Sequence, residues 1–126
     1  LQRAGRLMHG ASRVLVVTDG FCIDDASRGR MLGLVGKAEV SVLVVADPLE
    51  MAEPPAGRYP FAHRGAHFDV ALYGDRQRAD FLRSLGEGRH RIDTLASSLG
   101  LRHRTLDTTA DPLDAVVALL GTTRAM

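Results

Sequence analysis

The chain is poor in cysteine, tryptophan and lysine: among its 126 residues it has one cysteine, Cys22, no tryptophan, and Lys37 as its only lysine. A single thiol excludes an internal disulfide and a thiolate metal cluster, and makes a reducing compartment, the cytoplasm, the expectation. No apolar run approaches the ~20 residues of a membrane span. The net charge of +1 supplies no global pull toward nucleic acid or an anionic membrane. The phosphate-cradling patterns G-x-x-x-x-G-K-[ST] and G-x-G-x-x-G are missing, as are G-x-S-x-G, H-E-x-x-H and C-x-x-C. Their absence removes the enzyme classes that are read most directly from sequence.

What remains is ordinary globular material, 45% hydrophobic and 25% charged, of a length that fits one domain with a real core. The organising stretch is Arg13-Val14-Leu15-Val16-Val17-Thr18-Asp19-Gly20. Four consecutive apolar residues without alternation describe a strand buried between two helix layers. Ligands in doubly wound α/β sheets bind beyond the carboxyl ends of the strands, so Asp19 is the first candidate site residue. An Asp in that position is also a common turn former that opens a loop and caps the next helix.

Upstream, Leu1, Ala4, Leu7 and Met8 fall at helical spacing before Gly10, which reads as the tail of a helix packing on the sheet and as a piece of something longer. Downstream, Gly20 to Ser27 is a loop holding Asp24 and Asp25. With Asp19 these carboxylates invite a divalent cation. Helix capping by Asp25 or Ser27 explains the same residues, ahead of a helix with Met31, Leu32 and Val35 on one stripe. Val40–Ala46 is a second buried strand, ending in Asp47-Pro48. Strand, helix and strand in about 30 residues form a parallel βαβ unit that brings Asp19 and Asp47 to one sheet edge. There the two are an acid/base pair, metal ligands, or, for Asp47, the start of a turn.

Tyr59–Ala62 and Phe68–Leu72 flank a turn near Arg64-Gly65, a β-hairpin. His63 and His67 straddle that turn as weak zinc candidates against the default of exposed histidines. A long helix is expected over Arg76–Leu99, with Leu82, Leu85, Ile92, Leu95, Ala96 and Leu99 on one stripe and a bend or break near Gly86 and Gly88. Arg89-His90-Arg91 and Arg102-His103-Arg104 carry no interleaved aromatics for base stacking and read as solvated faces. Arg102–Leu106 is a polar strand that fits a sheet edge. Asp111-Pro112-Leu113-Asp114 starts a last helix, with Leu113, Val116, Val117 and Leu120 toward the core and Gly121 at its end.

Val-Val-Thr-Asp-Gly at 16–20 resembles the strand that carries the last metal-site Asp of von Willebrand factor A domains. Asp47-Pro48-Leu49-Glu50 with Pro54, Pro55 and Gly57, then Gly-Leu at 100–101 and Leu-Asp-Thr at 106–108, extend the likeness. The order resembles the C-terminal half of the bacterial domain of unknown function 58 family, associated with MoxR-type AAA+ ATPases, from about Arg13 to Leu120. The resemblance implies a three-layer von Willebrand A/Rossmann-like α/β fragment: a mostly parallel sheet flanked by helices with an inserted β-hairpin. It implies a metal-ion-dependent adhesion site in which Asp19 is one ligand and the others lie outside this chain. Asp25-Ala26-Ser27-Arg28-Gly29 echoes the family's D-x-S-x-S loop but ends in Gly and follows the wrong strand. Mg²⁺ or another divalent cation is thus implied in a full-length protein, with no tight binding expected here.

The leading expectation is therefore a non-enzymatic interaction domain, working with a MoxR-type AAA+ ATPase on a client protein. It is expected in the cytoplasm, with membrane tethering of a longer protein left open. A small Mg-dependent enzyme or nucleotide-binding domain using Asp19 and Asp47 is the alternative, and nucleic-acid binding through the Arg/His clusters a third. Without the neighbouring strand of the family's sheet, the strand at Val14–Thr18 becomes an open edge, from which a homo-oligomer is expected.

Overall fold

The computed structural model describes residues 12–121 together with Arg3, which is helical and exposed. The helix expected over Leu1–Met8 and its end at Gly10 otherwise lie outside the described residues. In chain order the elements are β1 (Ser12–Thr18), α1 (Ser27–Val35), β2 (Ala38–Ala46), a 3-10 turn (Pro48–Glu50), β3 (Gly57–His63), β4 (Ala66–Leu72), α2 (Asp75–Leu85), α3 (Glu87–Ser98), β5 (Arg102–Asp107) and α4 (Pro112–Leu120). β1, β2 and β5 form a parallel sheet in the order β1-β2-β5, and β3 and β4 form a separate antiparallel hairpin. The α/β architecture with an inserted hairpin is as expected.

β2 lies in the middle. In a strand, alternate side chains point to opposite faces, and β2 uses both. Val40, Val42 and Val44 join Met31 and Leu34 of α1 and Ile92, Leu95 and Ala96 of α3 in one buried cluster. Leu43 points the other way, into a smaller cluster with Ala115 and Leu119 of α4. These are the three layers: α1 and α3, the sheet, then α4. The strand buried on both faces is thus β2. β1 lies beside it as an edge, with Val17 58% exposed.

Two helices present a different stripe from the one expected. In α1 the buried residues are Ser27, Met31 and Leu34, at i, i+4 and i+7, which leaves Leu32 and Val35 open to water. In α4 the inward residues are Ala115 and Leu119, with Val116 and Leu120 half-buried, while Leu113 and Val117 are exposed. That helix is apolar almost all round, so periodicity selects no single face. Asp111 caps its start by accepting from the Leu113 N–H at 2.9 Å. At its other end the Arg13 guanidinium of β1 donates to the Leu120 carbonyl at 2.8 Å, placing a cation on the negative end of the helix dipole.

The expected long helix is two. α2 stops at Gly86, where a Cβ would lie 3.1 Å from the Glu50 carbonyl oxygen, and α3 begins at Glu87. The hairpin turns at Arg64-Gly65, both with positive φ (50° and 81°), the geometry favoured by right-twisted strands. Near its turn the hairpin is held to α2 through Phe61 on Phe81, with ring centroids 5.6 Å apart. Ile92 is fully buried where α3 meets the sheet. Ile92→Ala should lower stability by about 2–5 kcal/mol, and Leu32→Ala by under ~1 kcal/mol, in urea unfolding.

Candidate functional site

Parallel pairing of β1 with β2 carries Asp19 and Asp47 to the same, carboxyl-terminal edge of the sheet, where Asp107 ends β5 beside β2, on the side away from β1. All three carboxylates bond to backbone in their own turns. Asp19 Oδ1 accepts from the Phe21 N–H at 3.0 Å. Asp47 Oδ1 accepts from the Leu49 N–H at 2.9 Å, while the Asp47 N–H donates to Glu50 Oε2 at 2.9 Å. This reciprocal capping box holds the 3-10 turn. Asp107 Oδ1 accepts from both the N–H and the hydroxyl of Thr109, at 2.8 and 2.9 Å. In the sequence Asp107 stands out only within the Leu-Asp-Thr likeness at 106–108 and not as a site residue; its signal is the Leu-Asp-Thr-Thr run at 106–109, a strand end followed by turn formers.

Around Asp19 the packing is unusually close. Gly20 has φ +86°, and a Cβ there would sit 1.8 Å from the carbonyl oxygen of Gly88 in the first turn of α3. In return, a Cβ on Gly88 would lie 2.7 Å from the Asp19 carbonyl oxygen and 2.7 Å from the Phe21 ring. Two glycines thus let the Asp19-Gly20 backbone lie directly on a helix start. Thr18 Oγ1 accepts from the Gly20 N–H at 3.0 Å and locks the turn further. Gly88 acts through this contact, which is distant in sequence, and its effect on helix propensity is secondary.

Asp24 and Asp25 lie elsewhere, at the approach to α1. Asp24 Oδ1 accepts from the Ala26 N–H, the Ser27 N–H and the Ser27 hydroxyl, at 3.1, 3.1 and 3.0 Å. Ser27 Oγ accepts in turn from the Asp24 N–H at 3.0 Å. Asp24 with Ser27, rather than Asp25, therefore starts the helix. Both aspartates line a groove of about 680 Å³ beside α3 that also contains Arg28, His90 and Arg91, but neither Asp19 nor Asp47 lines it. Arg28 is tied to Ser98 Oγ at 2.8 Å, and Arg91 pairs with Glu87.

His63 and His67 are exposed on the hairpin, opposite Ala66 and Ala62. In the basic clusters, Arg102 and Arg104 are exposed, while His103 is half-buried with Nδ1 3.0 Å from the Leu101 carbonyl. Cys22 is a free, exposed thiol. Among the described residues no three His, Cys, Asp or Glu side chains are grouped to hold a metal ion. A hard divalent cation needs about six oxygens. Asp19 supplies one carboxylate, already engaged at Oδ1, so the described residues do not by themselves fit Mg²⁺. No described helix is long and apolar enough to cross a membrane.

Compared with protein-family models, with curated protein sequences and with solved structures, the chain shows no match.

Gly88→Ala should force the Asp19 loop off α3 and lower stability by about 1–3 kcal/mol, with the largest amide shift changes at Asp19–Phe21 in an NMR comparison. The Ser27 hydroxyl, followed by the Ala26 and Ser27 amides, holds the Asp24 carboxyl below its ordinary value. A depressed carboxyl pKa stabilises the fold above its unfolded value, and that stabilisation is lost as pH falls through the folded value. The start of α1 should therefore fray only as pH falls below the ordinary carboxylate range. A Ser27 amide shift that follows the Asp24 titration in wild type and is absent in Asp24→Ala would show it.

Proposed function

We propose that this chain is a non-enzymatic protein-interaction domain, resembling the C-terminal half of the MoxR-associated, von Willebrand A-like proteins of the domain of unknown function 58 family. In this reading it acts with a MoxR-type AAA+ ATPase in assembling protein complexes with a client protein, in the cytoplasm. The supporting observation is the Asp19-Gly20 turn, seated at the carboxyl end of a parallel strand against the first turn of α3. A loop fixed by two glycines holds its carboxylate in one place, which suits recognition by a partner or a shared cation. The remaining ligands of an adhesion-type metal site would come from outside this chain. Asp47, Asp24 and Asp25 serve their own turns and rank behind Asp19. The same edge also carries Asp47 and Asp107, and this favours a second reading, a small Mg-dependent enzyme or nucleotide-binding domain at the strand ends.

A binding titration against a MoxR-type AAA+ ATPase, with and without Mg²⁺, separates the two. On the leading reading the wild-type chain binds, and Asp19→Asn weakens binding by about tenfold, as expected for the loss of one charge-assisted contact. Absence of binding together with Mg²⁺-dependent hydrolysis of a phosphate ester, abolished by Asp19→Asn, would replace it with the second.

A further inference from the structure

The two edges of the parallel sheet differ in chemistry. β5 presents Arg102, His103 and Arg104 within six residues. Charged side chains on an edge strand oppose pairing with another chain, since a second copy would bring like charges together. The hairpin edges are guarded too: β3 carries Arg58 and Pro60, and β4 carries Asp69. β1 has no such protection from Val14 to Thr18. It holds no proline, glycine or charge there, and among the described residues it pairs with β2 alone.

The sheet face above β1 is covered at Leu15, which packs against the α4 cluster, and open at Val17. Leu15 and Val17 lie on the α4 side, beside Ser41 and Leu43 of β2. α4 covers Leu43, which is 4% exposed, but leaves its neighbour Val17 58% exposed. An apolar strand with an unprotected backbone edge and a bare valine is a surface that excludes water poorly.

We propose that β1 is the contact by which two copies of this chain associate, pairing antiparallel with β1 of the second copy about a two-fold axis at Leu15. This goes beyond the proposed function and depends on no part of it. The register about Leu15 uses all seven residues of the strand and is self-complementary. Leu15 meets Leu15 of the second copy, Val14 meets Val16, Ser12 meets Thr18, and Arg13 meets Val17. Opposed residues share a face in an antiparallel pair, so the aliphatic stem of Arg13 from one copy lies over the exposed Val17 of the other. No two like charges are opposed. The product is one six-stranded sheet, β5-β2-β1-β1-β2-β5, whose two outer edges are the basic strands that resist further growth. The contact is isologous and closes at the dimer.

The register supplies its own test, because Val17 is exposed and its substitution leaves the core intact. Sedimentation equilibrium of the 126-residue chain should give a concentration-dependent mass reaching twice 13.6 kDa. Val17→Lys sets a second cation against Arg13 twice per dimer and should weaken dimerisation by about tenfold, whereas Val17→Asp faces Arg13 with an opposite charge and should hold or tighten it. A chain that remains monomeric at millimolar concentration overturns the proposal. So does a dimer on which Val17→Lys and Val17→Asp act alike, or one whose affinity neither changes. Since no ATPase is present, the outcome is independent of whether the chain binds one.

Discussion

Both cores of this protein meet on one strand. β2 sends Val40, Val42 and Val44 to the larger cluster beneath α1 and α3, and Leu43 to the smaller one beneath α4. Each of those residues is nearly or wholly removed from water. A strand with helices on both faces must be apolar on both, and its parallel neighbours are then set by register to either side. The placement of every strand-end carboxylate follows. Asp19 and Asp107 reach the carboxyl-terminal edge of the sheet because β1 and β5 are paired to β2 in parallel.

At that edge the carboxylates have a double character. Each is at the position where α/β sheets collect ligands, and each is also a structural acceptor for its own turn. The Asp19 turn differs from the others in being clamped from outside its own segment, by the mutual contact of Gly20 and Gly88. A loop that two glycines press against a helix start loses conformational freedom, and a group held that way can be recognised without a further ordering cost. That restriction supports Asp19 ahead of Asp47, Asp24 and Asp25.

The opposite flank of the molecule is shaped by what α4 leaves uncovered. α4 lies over β2 and β5, its carboxyl end drawn to Arg13. Its outer side still shows Leu113 and Val117, 66% and 48% exposed, and the adjoining sheet shows Val17. These exposed apolar residues, with a β1 that carries no charge from Val14 to Thr18, contrast with the Arg-rich strand at the other edge of the sheet.

Much of this was determined by local chemistry in the chain itself. The β-branched runs at 14–18 and 40–46, the Arg-Gly turn of the hairpin, the weakness at Gly86 and the Asp-Pro start of α4 each report a preference that acts over a few residues. These preferences placed the elements, the parallel βαβ unit, and Asp19 with Asp47 on one edge. Tertiary structure decided the rest. Which of two equally apolar strands is central depends on where β5 pairs, and the inward side of α4 depends on how closely Ala115 lets it approach Leu43. Asp24, rather than Asp25, holds the turn that leads into α1, because Ser27 is buried in the geometry that returns its hydrogen bond. The pairing of Gly20 with Gly88 leaves no periodic trace, since it is made between backbones 68 positions apart, and only the packed chain brings them together.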